Sequence, residues 1–319
     1  MARKAYLGVD VGSVSTNLVL LSEEGEVIEK LYLRTRGEPI AVIQRGMRML
    51  ATAFSGVDVA GVGTTGSGRR LAAVILGADC VKNEITAHAV ASARFVPEVR
   101  TVIEIGGQDS KIIILRDGMV LDFAMNTVCA AGTGSFLDQQ AARLGVPIER
   151  FGELALTSKT PVRIAGRCAV FAESDMIHKQ QMGHRIEDIV AGLCEALVRN
   201  YLSNVGKGKD IRPPVVFQGG VAANAGMRAA FEKALGTAVA VPEHYNVMGA
   251  IGAALLAMEE MECRNEPSRF RGLQALDMDY SASSFECRGC PNLCEVVNIK
   301  MGREVIARWG SRCGRWDCL

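Results

Sequence analysis

Short apolar runs closed by glycine open the chain and return in its middle. Tyr6-Leu-Gly-Val-Asp10 reads as a buried strand ending at Gly12-Ser13. Leu18–Leu21 and Glu26–Leu33 continue it as strands around a Glu24-Gly25 hairpin turn. Three strands therefore precede the first helical stretch, expected from about Pro39 to Phe54. Val99–Ile105 then restarts the pattern: strand, Gly106-Gly107-Gln108-Asp109, strand Ser110–Leu115, turn Asp117-Gly118, strand Val120–Met125. This unit, near residues 6–33 and again near 100–125, predicts two similar α/β halves facing each other across a cleft. Helical periodicity follows over 135–144, 169–181 and 186–205. Pro213–Phe217 returns to a strand, Gln218-Gly-Gly-Val221 leads into a helix through Leu235, and Gly249–Met261 is a last apolar helix.

Length and composition narrow the class. The 319 residues suffice for about two domains, and 34 glycines with few aromatics suit an α/β protein of many tight strand-to-helix turns. A net charge of +1 supplies no field for nucleic acid and no polybasic membrane tether. No apolar run is long enough to span a bilayer, and the first residues hold no signal-peptide core, so a cytoplasmic protein is expected. In that compartment ten cysteines point to metal, cluster or catalytic use before disulfides.

Three glycine turns carry candidate chemistry. Asp10-x-Gly12-Ser13 sets a carboxylate at a strand end, where it can hold Mg²⁺ through water while N–H groups and the hydroxyls of Ser13, Ser15 and Thr16 approach phosphate. Glu104-Ile-Gly106-Gly107-Gln108-Asp109, followed by Lys111, is a second copy. Gly219-Gly220-Val221-Ala-Ala-Asn224 joins a strand to a helix and can approach an adenosine. One such turn is unremarkable; three in this order point to ATP or ADP. No Gly-x4-Gly-Lys-Ser/Thr loop is present. Gly61-x-Gly63-x-x-Gly66 matches a dinucleotide fingerprint, but Gly-Ser-Gly-Arg-Arg stands where its helix should open cleanly, so it reads as a decoy.

Cys129 precedes Gly132-Thr133-Gly134, and Cys168 lies in Gly166-Arg167-Cys168, each at the expected start of a helix. Helix N-termini lower thiolate pKa and suit ligands of an anionic cluster, although a small buried hydrophobe is the usual fate of a free cysteine. Two thiols cannot complete a four-thiolate site; a two-fold homodimer giving both from each subunit can. The tail carries Cys287, Cys290, Cys294 and Cys313, a spacing that suits Zn²⁺ or a second iron–sulfur cluster. The four histidines form no metal-binding pair.

Over about residues 5–260 the chain resembles the activator family of 2-hydroxyacyl-CoA dehydratases, with the ATPase subunits of benzoyl-CoA reductase and the reductases of double-cubane cluster proteins as relatives. The resemblance rests on Gly8–Ser13, Thr65–Arg69, Asn83–His88, Glu104–Lys111, Asn126–Phe136, Gly166–Phe171, Gln218–Val221 and Met248–Gly252. It implies an actin-like fold, with one lobe formed by 1–85 and 244–262, a second by 86–243, and a cysteine-rich segment at 263–319. It also implies ATP in the interdomain cleft and a homodimer bridged by one [4Fe–4S] cluster on Cys129 and Cys168. Hydrolysis would drive one electron to a partner iron–sulfur dehydratase or reductase, with ferredoxin or flavodoxin as upstream donor. About 1.4 kcal/mol per 60 mV makes ATP an adequate source. Asp10, Glu104, Gln108 and Asp109 take the catalytic roles. Gly12, Gly106, Gly107, Lys111 and the Gly132–Gly134 and Gly219–Asn224 turns hold nucleotide. Asn17 stands where many relatives have lysine, and Glu104 replaces the more usual aspartate. The tail is similar to segments of longer members, which favours a double-cubane-type partner. Two other readings stay open: a small-molecule kinase of the same fold, which needs neither cysteine, and a zinc-stapled regulatory ATPase.

Overall fold

The computed structural model describes residues 3–51, 57–126, 129–264 and 266–318. The chain divides into two compact units, 1–87 with 249–319, and 88–248.

In the first unit β1 (Arg3–Val11), β2 (Ser15–Ser22) and β3 (Val27–Arg34) form an antiparallel meander. α1 (Pro39–Leu50) then crosses to β4 (Val57–Thr65), parallel to β1, and α2 (Arg69–Leu76) leads to the short β5 (Cys80–Val81). The sheet order is β3-β2-β1-β4-β5. The middles of β1 (Ala5–Val9) and β2 (Leu18–Leu21) are buried and almost wholly apolar, and α1 and α2 cover one face through Ile43, Met47, Leu71 and Ile75. The helix expected to reach Phe54 ends at Leu50, and its last expected residues lie outside those described. α3 (Glu84–Phe95) carries the chain into the second unit.

There β6 (Thr101–Ile105), β7 (Ser110–Arg116) and β8 (Met119–Asn126) repeat the meander. Four helices follow: α4 (Gly134–Leu144), α5 (Ile148–Leu156), α6 (Ala169–Gln181) and α7 (Ile186–Asn204). β9 (Val215–Gln218) then lies parallel to β6, and α8 (Ala225–Leu235) leads to β10 (Val239–Ala240). The order β8-β7-β6-β9-β10 matches the first sheet strand for strand, so the duplication expected from the glycine turns is present. α7 is buried on nearly all sides and forms the centre of this lobe's core with Phe151, Phe217 and Phe231.

α9 (Met248–Cys263) returns the chain to the first sheet, where Gly8 and Gly63 let its backbone approach closely. The tail forms a three-stranded antiparallel sheet of β11 (Tyr280–Glu286), β12 (Glu295–Met301) and β13 (Glu304–Trp309). Leu276, Tyr280, Ile299 and Ala307 share the first lobe's core, and Gln44 and Arg48 donate to the Leu276 carbonyl at 3.0 and 2.8 Å. No helix among the described residues is long and apolar enough to cross a membrane.

Candidate functional site

In the first lobe β1 carries Asp10 to the end of the sheet and turns at Gly12, whose N–H donates to Ser15 O at 2.8 Å. Thr35, just beyond β3, fixes this turn. Its N–H donates to Val14 O at 2.9 Å, its hydroxyl to Gly12 O at 2.9 Å, and it shares a 3.0 Å bond with the Thr16 hydroxyl. Thr16 is therefore buried and committed to the turn, whereas Ser13 is exposed and Ser15 half-exposed. Asp10 pairs across the sheet with Asn17 on β2 and Thr65 on β4, and register partners present their side chains on one face. Gly66 follows with φ 88°; a side chain there would meet the Val11 carbonyl and the Asp10 carboxylate.

The second lobe repeats this device. Gly106 N–H donates to Asp109 O at 3.0 Å, Glu104 pairs with Lys111 and Gln218, and Gly219 has φ 87° against Ile105 O and the Glu104 carboxylate. Asp10, Asn17, Thr65 and Gly66 thus correspond to Glu104, Lys111, Gln218 and Gly219. Three of these four pairs differ in residue, and the Asn17/Lys111 pair changes the charge. Lys111 Nζ donates to Glu104 at 3.0 Å and to Asp109 at 2.8 Å, and both Lys111 and Glu104 are buried. At the position of this ammonium the first lobe has the amide of Asn17.

Beneath the second turn, the Ser92 hydroxyl lies 2.7 Å from His88 O and 2.9 Å from Gln218 Oε1, and Gln218 Nε2 and His88 Nδ1 share a 2.9 Å hydrogen bond. Burial, reinforced by the Lys111 charge, pushes His88 down to about 3, so its ring is neutral. Tyr201, on α7, donates its hydroxyl to Lys111 O at 2.6 Å; burial, then the Glu104 charge, raises its pKa well above the ordinary value.

The Cys129 loop is tied directly to this turn. Gly134 N–H donates to Gly106 O at 2.9 Å, and Ser135 donates to Gly107 O through its N–H at 2.9 Å and its hydroxyl at 2.5 Å. Cys129 itself is bracketed by Asn126, whose side chain accepts from Cys129 N–H at 2.9 Å and donates to Cys129 O at 2.8 Å. A short 3₁₀ turn, Ala130–Gly132, starts at Cys129, and α6 starts at Cys168. Both cysteines are half-exposed caps of helical segments. The buried Asn200 of α7 serves both loops: its Nδ2 donates to Gly166 O at 2.6 Å, and a Cβ on Gly132 would lie 3.0 Å from its Oδ1. Thr133 is buried and donates to Ala130 O at 2.8 Å. One helix therefore contacts the Lys111 strand through Tyr201 and both cysteine loops through Asn200.

Gly219–Val221 joins the same cluster, with Val221 packed 3.0 Å from where a Gly134 side chain would begin. Gly220–Ala223 is a 3₁₀ turn, and Asn224 is the N-cap of α8, its Oδ1 accepting from Met227 N–H at 3.0 Å. Gln108 stays on the exposed side of the second turn. The strand–turn–helix context of Gly61–Gly66 does exist, because α2 opens at Arg69, contrary to the expectation of no clean helix. Its glycines serve packing: Gly61 meets Tyr6 and Met261, and Gly63 meets the Ala253 carbonyl.

The tail thiols are differently placed. Cys287 Sγ accepts from Trp316 Nε1 at 3.2 Å, and Cys294 Sγ from Arg312 N–H at 3.5 Å, while Cys290 and Cys313 are exposed. The Gly289 N–H and then the Trp316 indole hold the Cys287 thiol below its usual pKa. Among the described residues no three His, Cys, Asp or Glu side chains converge as a metal would require.

Two matching sheets, each with the same phosphate-type turn, define the actin-like ATPase fold. Residues 7–257 match the BadF/BadG/BcrA/BcrD ATPase family, and the chain belongs to it. It is 36% identical over 257 residues to the 2-hydroxyisocaproyl-CoA dehydratase activator of Clostridioides difficile, covering 80% of this chain and 95% of the relative. It is likewise 36% identical over 258 residues to the (R)-2-hydroxyglutaryl-CoA dehydratase activating ATPase of Acidaminococcus fermentans, covering 80% and 97%. The solved activator of the 2-hydroxyisocaproyl-CoA dehydratase from Clostridium difficile, with bound ADPNP, superposes with a TM-score of 0.73 at 34% identity, covering 81% of this chain and 96% of that one. The family match ends before the tail.

Proposed function

We propose that this ATPase uses hydrolysis to deliver single electrons from a [4Fe–4S] cluster, held by Cys129 and Cys168 of each subunit of a homodimer, to a partner iron–sulfur dehydratase or reductase. The two thiols fit such a group: both are half-exposed, both cap helical segments, and Asn200 bonds the Cys168 loop while lying against Gly132 of the Cys129 loop. When bound, the cluster would supply one-electron chemistry. The chain's own work is to bind nucleotide and to move the cysteine loops. Gly12, Ser13, Gly106 and Gly107 would hold phosphates, Asp10 and Asp109 the magnesium ion through water, and Gln108 with Glu104 would orient the attacking water. Gly219 to Val221 would take the adenosine.

The observation that carries this reading is the set of hydrogen bonds from Gly134 and Ser135 to the carbonyls of Gly106 and Gly107. A turn that changes shape with its phosphate must move the loop five residues from Cys129, because the two share hydrogen-bonded backbone. The surface around the thiols supports assembly with a second chain. Met119, Leu121, Phe123 and Met125 line one exposed side of the edge strand β8, and Val170 and Phe171 are exposed beside Cys168. A cavity of about 970 Å³ lined by Arg163, Arg167, Lys179 and Arg199 adjoins Cys168 and suits an acidic partner surface.

Iron and sulfide analysis with EPR after anaerobic purification tests the assignment. Wild type is expected to hold about four irons per dimer with matching sulfide, and Cys129→Ser and Cys168→Ser to lose them. Full retention of iron in either variant would refute the ligand set.

A further inference from the structure

The Asn17/Lys111 difference between the two phosphate turns coincides with two unpartnered buried oxygens in the first lobe. Asn17 is 6% exposed, Thr65 is fully buried, and the Asn17 Oδ1 and Thr65 Oγ1 atoms have no hydrogen-bond partner. Both residues pair across the sheet with Asp10 and share its face. A buried acceptor left unsatisfied costs about 1–3 kcal/mol, and here two flank one carboxylate. Ionised phosphate can accept from the Thr65 hydroxyl but, bringing only acceptors, it cannot relieve the Asn17 Oδ1. A cation can. In the second lobe the equivalent place is filled by the ammonium of Lys111, 3.0 Å from Glu104.

We propose that the first lobe binds a potassium ion between Asn17 Oδ1, Thr65 Oγ1 and the Asp10 carboxylate, in the place that Lys111 Nζ fills in the second lobe, with ATP phosphate oxygens completing its shell. This rests on the nucleotide-binding reading of the turns. Potassium is the common monovalent cation closest in size to an ammonium, and it exchanges its water for amide and hydroxyl oxygens. Magnesium demands short octahedral contacts and keeps its water, so it travels with the nucleotide and meets Asp10 only through water, leaving the Asn17 and Thr65 oxygens to a cation that sheds its water more readily. The substitution of asparagine for lysine thereby converts a built-in charge into one drawn from solution, and makes ATP binding responsive to the cation present.

The test is equilibrium binding of ATP with Mg²⁺, together with steady-state hydrolysis, in potassium, sodium, lithium and tetramethylammonium chlorides at equal ionic strength. Wild type is expected to bind ATP at least about tenfold more tightly in potassium than in tetramethylammonium, the effect of one charge-assisted contact. Rubidium and ammonium should substitute and lithium should not. Asn17→Lys should hold ATP at the potassium level in every salt. Thr65→Val, nearly isosteric and independent of that variant's folding, should lose the potassium response and keep the weak binding. Thallium-205 NMR with the ATP-bound protein gives a direct readout, a bound resonance that Thr65→Val abolishes. Equal affinity in all salts would overturn the inference and leave the ATPase reading intact, as would water alone filling the pocket. A potassium response that survives in Asn17→Lys would overturn it as well. Failure to bind ATP in any salt would bring down the nucleotide reading itself.

Discussion

Lys111→Met removes the cation that two carboxylates share. The Lys111 side chain is 3% exposed and that of Glu104 6%, whereas Asp109 is 31% exposed. The Asp109 contact is therefore partly screened, and Glu104 dominates the loss. Breaking a buried pair from one side costs about 3–5 kcal/mol, most of it the desolvated charge left behind. A value near 3 kcal/mol is expected, a large share of a typical stability of about 5–15 kcal/mol. Urea unfolding of wild type, Lys111→Met, Glu104→Gln and the double variant closes a cycle. The double variant should recover about 2 kcal/mol relative to Lys111→Met, because the stranded charge is gone. A loss below about 0.5 kcal/mol, or a double variant no better than the single, would refute this account of the turn.

Two further outcomes follow from the same lobe. His88, held neutral by burial and pushed down to about 3, takes up no proton on folding, while the unfolded ring titrates near 6.5. Stability should therefore fall by about 1.4 kcal/mol per unit as pH drops below about 6.5. Urea midpoints across that range should show a slope that His88→Gln flattens; an unchanged slope would contradict the assignment. Gly219→Ala should cost more than about 2 kcal/mol, because its left-handed backbone is combined with collision against Ile105 O. Gly118→Ala, at φ 76° with open space around it, should cost only about 1 kcal/mol, and equal losses would refute the packing argument.

Much of the fold was legible because its signals are local. Alternation and glycine turns marked both meanders, and the Cys129 and Cys168 loops were read at helix starts, where the structure places them. The two-residue strands β5 and β10 were too short to show a period, and α5 too short to stand out between turns. The parts that position the site were hidden for another reason. The His88–Gln218 bond spans 130 positions and the Tyr201–Lys111 bond 90. Nothing local marks Asn200, a polar residue within the expected 186–205 helix, or Thr35, two residues past the expected strand end, as parts of the site. Only the register of the sheets shows that Asn17 and Lys111 occupy equivalent places.

The central claim, that nucleotide at the Gly106 turn reaches the Cys129 loop, is tested most directly by a spectropotentiometric titration of the anaerobic protein with ADP and with a non-hydrolysable ATP analogue. The account predicts different midpoint potentials in the two states, and a smaller difference in Ser135→Ala, which loses one of the three bonds to the turn. Identical midpoints with both nucleotides bound, or protein without iron–sulfur absorbance, would contradict it.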